Sequence, residues 1–323
     1  MTCDSDLLII GGGPAGLSAA INGASEGLSV RMLDAGFSLG GQARETAAIE
    51  NYPGFPDGTT GNDLMSSFVR QALKFSTKMI CPLTAAHLQV DGKRFIITTD
   101  DYQEYVTKTL LLSLGLSYRR LGADGIGPLM GRGVFYGRPS GVLPPSKKCN
   151  VAVIGGANSA GQAVIKLAES PNINIKLIIR KTIGYQMSAY LVNRIKALPN
   201  VEVLEGCEVV KVQGGTSLES ICIQCGENLF EEKVEQMFIF IGATPRTLWL
   251  NGSGIELDDH RYVLSWTDTT NKEALPYETS IKGIFVAGDV RANSIKRIAS
   301  AIGEGVGALS MIHKHIASME AQT

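Results

Sequence analysis

Two segments about 140 residues apart each read as an apolar strand that runs into glycines and then opens a helix, and no other feature constrains the fold as much. The first covers residues 6–16 (DLLIIGGGPAG), continues as a helix through about Glu26, and is followed by a strand over residues 28–33 that ends at Asp34. The second covers residues 151–160 (VAVIGGANSA), continues as a helix to about Ala168, and is followed by a strand over residues 173–179. Strand, turn, helix, strand is the grammar of a βαβ unit, which builds a parallel sheet with helices on its faces. Two such openings predict an α/β chain with two doubly wound, Rossmann-like nucleotide-binding domains. The 323 residues, 44% of them hydrophobic, suffice for two cores of ~150 residues each.

Between the two units, alternation over residues 95–99 and an apolar run over 109–114 predict a small sheet and a return to the first domain. A further apolar strand over 236–241 runs into GATP at 242–245, and a strand over 283–287 leads to Gly288, Asp289 and a helix from about Ile298. With crossings near Gly122 and Gly242, residues 1–121 and 243–323 are expected to form one discontinuous domain, into which 122–242 are inserted.

The glycines carry chemistry as well as shape. Gly11 permits the tight turn, Gly13 lets backbone approach a pyrophosphate, and Gly16 allows the helix to pack closely on its strand, with Pro14 and Ala15 opening that helix. Amides at the helix N-terminus then face the negative charge, and Asp34 stands where an acid accepts ribose hydroxyls. The second unit, Gly155 to Ala157 with Asn158, Ser159 and Ala160, departs from this pattern. Ala157 puts a methyl where the pyrophosphate would approach, and Arg180 and Lys181 replace the acid, a charge suited to a 2′-phosphate. The methyl argues against a dinucleotide and the cations argue for one.

Further motifs carry a family resemblance. Gly40, Gly41 and Gln42, followed by IENYPGFP at 49–56, resemble the flavin-domain signature of low-molecular-weight thioredoxin reductases, and GIFVAGDVR at 283–291 resembles that family's C-terminal FAD motif. The likeness runs over nearly the whole chain. It implies one FAD, with Gln42 and Asn51 along it and Asp289 on its ribityl chain beside Gly288, and it implies a homodimer with an inserted pyridine-nucleotide domain. Where the family keeps Cys-Ala-Thr-Cys, residues 132–140 read RGVFYGRPS, so neither sulfur is present. Of the family's histidine-arginine-arginine and later arginine, only two positions keep a counterpart, Arg180 and Lys181, with Tyr185 at the last position. Lys296 and Arg297, before Ile298, replace the arginine-glutamine pair beside the flavin ring, and their surroundings look like a branch lacking the usual cysteines. An arginine on the pyrimidine side would stabilise the anionic reduced ring.

Six cysteines, at 3, 81, 149, 207, 222 and 225, are too sparse for a secreted disulfide scaffold, and reduced buried thiols are the ordinary expectation. Cys222 and Cys225 have redox spacing but fall on an expected strand, where residues three apart face opposite sides. Pairing them requires a turn or bulge, which Gly226 permits, and they are the candidate catalytic pair on that condition. Cys149 and Cys207 are a weaker candidate pair, contingent on neighbouring strands. None of His87, His260, His313 and His315 falls in a metal-ligand pattern, and His313 and His315 are expected on the surface.

Thirty basic against 31 acidic residues leave no excess charge to draw the chain onto nucleic acid or an anionic membrane. No apolar stretch reaches the ~20 residues of a membrane span and the N-terminus lacks a signal peptide's positive charge, so a cytoplasmic protein is expected. The expected function is an FAD-dependent disulfide oxidoreductase acting on a thioredoxin- or ferredoxin-like protein, with NADPH or a second FAD in the second site. The alternatives are a flavin oxidoreductase linked to NAD(P)H or ferredoxin without thiol chemistry, and a non-catalytic flavin-binding sensor.

Overall fold

The computed structural model describes residues 4–46, 49, 52–137 and 148–321. The chain divides into two compact units, Met1–Ser117 with Thr244–Thr323, and Tyr118–Ala243.

In the first unit, β1 (Ser5–Ile10), β2 (Val30–Leu33), β3 (Lys78–Ile80), β4 (Ala85–Asp91), β5 (Arg94–Thr99) and β6 (Glu104–Leu112) form one sheet in the order β3-β2-β1-β6-β5-β4. The β3 to β6 portion is parallel, and β5 and β4 continue it antiparallel. Leu7, Leu8 and Ile9 are all fully buried, as befits a parallel strand covered on both faces. Alternate residues serve two cores: Leu7, Ile9, Met32 and Leu111 face the helices α1 (Pro14–Ser25), α2 (Gly41–Arg44) and α3 (Gly61–Lys74), whereas Leu8, Ile10, Leu33 and Leu110 face Ile255 and Val263 on the other side.

The chain passes between units at β7 (Leu116–Tyr118), which pairs with β16 (Ala243–Pro245). The second unit holds a parallel sheet of β8 (Val134–Tyr136), β9 (Cys149–Ile154), β10 (Ile173–Ile179), β11 (Val201–Glu205) and β15 (Gln236–Ile239), in the order β11-β10-β9-β15-β8. Helices α5 (Asn158–Ala168) and α6 (Ala189–Lys196) cover one face, and their Val164, Leu167 and Leu191 pack on Val151, Val153 and Leu177. The other face carries the short α4 (Ile126–Leu129) and an antiparallel sheet of β12 (Cys207–Gln213), β13 (Ser220–Cys225) and β14 (Asn228–Lys233), whose Val209, Ile221 and Ile223 meet Ala152, Ile154 and Ile178.

Back in the first unit, β17 (Ile284–Val286) adds in parallel beside β6, and α7 (Ile298–Glu320) lies along α1. A Cβ on Gly305 would stand 2.2 Å from the Ala15 carbonyl, so this crossing requires glycine on α7. His315 corrects the expectation of a surface histidine. It is 6% exposed, edge-on to Phe285, because the helix face that carries it turns toward the sheet.

Candidate flavin and second-nucleotide sites

The first turn is shaped by collisions that any side chain would cause. Gly11 has φ +107°, and a Cβ there would lie 2.3 Å from the Ser113 carbonyl at the end of β6; a Cβ on Gly16 would lie 2.0 Å from the Gly11 carbonyl. Gly13 differs: a Cβ there would meet no atom of the described residues within 4 Å. Among those residues, open space therefore lies in front of the N-cap of α1, where no side chain caps the helix and Pro14 takes the first turn. Amides at such an end have no partner within the helix and favour an anion.

A second glycine turn closes on this space. The Gly40 amide donates to the Gly12 carbonyl at 2.7 Å, and a Cβ on Gly41 would sit 3.2 Å from the Gly13 Cα, so α2 begins against the start of α1. Gln42 extends the wall by donating through Nε2 to the Leu116 carbonyl at 2.5 Å. Asp34 accepts from the Gly12 amide at 2.6 Å and the Gly36 amide at 2.7 Å. Its carboxylate thereby holds the glycine loop and keeps lone pairs for a ligand hydroxyl. Asn51 lies outside the described residues.

The third wall comes from the other end of the unit. Gly288 has φ +79°, and a Cβ there would be 3.0 Å from that of Ala15, which brings the end of β17 onto the start of α1. Sequence reasoning missed the residue that fixes this loop: Glu304, 8% exposed on α7, accepts from the Gly288 amide at 2.8 Å and takes Arg291 bidentately at 2.6 and 3.1 Å. The available signal was an acid among the small and apolar residues that open α7, near the motif. Burial raises the Asp289 carboxyl above its ordinary value, with Lys296 opposing and Glu304 adding to the rise. Lys296 folds back to donate to the Asp289 carbonyl at 2.8 Å and Ser294 Oγ at 2.7 Å, while Arg297 is exposed at the N-cap of α7, just before Ile298.

In the second unit, Gly155 has φ +142°, and a Cβ there would be 2.4 Å from the Phe240 carbonyl. Ala157 is the extended N-cap of α5, with Asn158 and Ser159 exposed after it and Ala160 buried. The segment after β10 runs over this turn. Gln186 bridges to Ala157, and the Ser188 amide donates to Asn158 Oδ1 at 2.7 Å. Arg180 and Lys181 are exposed, and the Lys181 ammonium lies 3.8 Å from the centre of the Tyr185 ring, a cation–π contact.

The cysteine expectations need correction. Cys222 and Cys225 do not pair; Cys225 is joined in a disulfide to Cys207, and Cys222 is free. The alternation of β13 is unbroken, so Cys225 lies with Ile221 and Ile223 on the core side and Cys222 on the other. Gly226 makes the hairpin turn into β14 and leaves the spacing between the two cysteines untouched. Cys207 and Cys225 are direct cross-strand partners, with Cα atoms 4.2 Å apart. Two of the expected thiols are thus oxidised. Cys149, on β9 in the parallel sheet, is a buried free thiol and does not pair with Cys207.

Residues 5–305 match the family model of pyridine nucleotide-disulphide oxidoreductases. The chain is 29% identical to a thioredoxin reductase of Yarrowia lipolytica over 98% of its own length and 99% of that protein's. It is 31% identical to a 34.2 kDa protein encoded in a rubredoxin operon of Clostridium pasteurianum, over 96% and 97% of the two chains. Among solved structures, thioredoxin reductase from Streptococcus pyogenes superposes with a TM-score of 0.78 at 28% identity, covering 97% of this chain and 98% of that one.

Proposed function

We propose that this chain, which belongs to the pyridine nucleotide-disulphide oxidoreductase family, is an FAD-dependent disulfide oxidoreductase of thioredoxin reductase type, and that it works on a small redox protein without the family's usual Cys-x-x-Cys. The observation that carries this reading is the open space before Gly13, walled by the Gly40–Gly41 turn and by Gly288. The Gly40–Gly41 turn and Gly288 both come close to the start of α1, no described atom lies within 4 Å of a Cβ placed on Gly13, and uncapped amides of α1 face that side. Those residues fit a dinucleotide. Bound there, the flavin would supply two-electron exchange.

The chain's own groups divide the holding of that ligand. Amides at the start of α1 would hold the diphosphate, and Asp34 and Asp289 would accept sugar and ribityl hydroxyls. Glu304 positions Gly288 and Arg291. Lys296 and Arg297 would supply positive charge to a flavin ring held beside them. The second site is a weakened nicotinamide site: Arg180 and Lys181 would favour a 2′-phosphate, and the Ala157 methyl opposes the diphosphate. No cysteine lies between Cys81 and Cys149, the stretch where the family motif would fall. We read the chain as a homodimer in the cytoplasm; no helix among the described residues is long and apolar enough to cross a membrane.

The test is spectroscopic. The purified chain is expected to be yellow and to bleach under anaerobic conditions with NADPH, NADH or reduced ferredoxin. Failure of all three donors on a yellow protein would favour a non-catalytic flavin module, and a colourless chain that cannot be reconstituted with FAD would end the reading.

A further inference from the structure

We propose that Cys207 and Cys225 form a reversible dithiol/disulfide centre in the second unit, and that its exchange partner is the vicinal dithiol of a small redox protein. The sheet alone brings the sulfurs together. Cys207 and Cys225 are directly opposite in the register of β12 and β13, which the flanking pairs Glu208 with Gln224 and Val209 with Ile223 continue. The hydrogen-bonded ladder and the core under Ile221 and Ile223 persist whether or not the sulfurs are bonded, so reduction leaves the two thiols within reach of re-oxidation.

The two sulfurs are not equivalent. Cys207 is 4% exposed, whereas Cys225 is half-buried at the mouth of the β13–β14 hairpin. Open turns flank both: Gly206 precedes Cys207 and Gly226 follows Cys225, and at neither would a Cβ meet an atom of the described residues within 4 Å. An incoming thiolate therefore reaches Cys225. It forms a mixed disulfide there as the Cys207–Cys225 bond breaks, and Cys207 leaves with the electron pair and takes a proton. The Glu205 carbonyl lies 3.2 Å from Cys207 Sγ, ready to accept that new S–H. The partner's second thiol then attacks its own sulfur in the mixed disulfide and releases Cys225. The partner is oxidised to a disulfide and the pair is reduced by two electrons and two protons. Cys222, on the opposite face of β13, is kept out of the exchange by strand alternation.

This names a partner for the reading above but does not depend on a bound flavin, so the two can fail separately. The experiment equilibrates the native full-length chain with mixtures of reduced and oxidised dithiothreitol, alkylates it, and maps the labelled peptides. Cys207 and Cys225 should gain label together, in one reversible transition, with the circular dichroism unchanged. Cys207→Ser, offered oxidised glutathione, should retain glutathione on Cys225 about tenfold more than Cys225→Ser retains it on Cys207. Labelling of the pair only after denaturation would overturn the proposal and leave a structural cross-link. A yellow chain with an inert pair would leave the flavin reading standing; a colourless chain with a cycling pair would do the reverse.

Discussion

The turn at residues 11–16 and the turn at 155–160 share a backbone and differ in what they present. Gly11 and Gly155 both have positive φ, and a Cβ on either would run into a carbonyl of a neighbouring chain segment, Ser113 at 2.3 Å and Phe240 at 2.4 Å. The N-caps that follow, Gly13 and Ala157, are both extended. The first glycine therefore answers a demand of the fold, present in both units. The middle position answers to whatever lies in front of the turn, and there the units part: open space at Gly13, a methyl at Ala157, Asp34 against Arg180. Fold and ligand requirements are separable by position within one motif.

The steepest loss should come from the shared part. Gly11→Ala and Gly155→Ala each add a methyl at positive φ onto a fixed carbonyl, and each should cost about 3 kcal/mol or more of stability in its own unit. Urea unfolding of the flavin-free protein measures this. If one of the two is tolerated, the claim that both turns obey the same steric demand is broken.

Next come the reciprocal changes at the middle position. Gly13→Ala meets no neighbour among the described residues, so the flavin-free chain should unfold as before, while flavin affinity falls about tenfold or more, equivalent to about 1.4 kcal/mol. Ala157→Gly should tighten any nicotinamide binding by about the same factor. Isothermal titration of both variants sharpens the comparison, and an unchanged nicotinamide dissociation constant in Ala157→Gly would reject the account of the second turn.

How much of this was legible in the sequence follows from the range of the interactions involved. The parallel strands were readable because β1 and β9 end in the continuous apolar runs 7–10 and 151–154, and α7 begins at the expected Ile298. The opposition of Cys222 and Cys225 was also readable, since strand alternation is local. The partner of Cys225 was not: Cys207 is 18 residues away, and only the β12–β13 register, with a shift between Val209 and Lys211, sets them opposite. The Glu304–Arg291 pair and the burial of His315 depend likewise on how α7 lies against β17, which no local pattern states.

A milder change concerns Asp289, for which the second unit supplied no expected counterpart. Burial raises its carboxyl pKa, so in the flavin-free chain the folded state binds a proton more tightly than the unfolded state does. Between the ordinary aspartate value and the raised one, the native state carries more protons, and stability must fall as pH rises through that window. At neutral pH the ionised carboxylate is then a net cost to the flavin-free fold. Asp289→Asn removes the charge, and should leave the flavin-free chain slightly more resistant to thermal unfolding at neutral pH and with a flatter acid limb. The same substitution weakens an acceptor for ribityl hydroxyls, so flavin retention should drop while the bare fold gains. Thermal unfolding of flavin-free wild type and variant across the acid range measures the first effect, and dialysis against chaotropic salt measures the second. A variant that loses stability without flavin would show that Asp289 serves the fold, as Gly11 does, and would move it to the other side of the comparison.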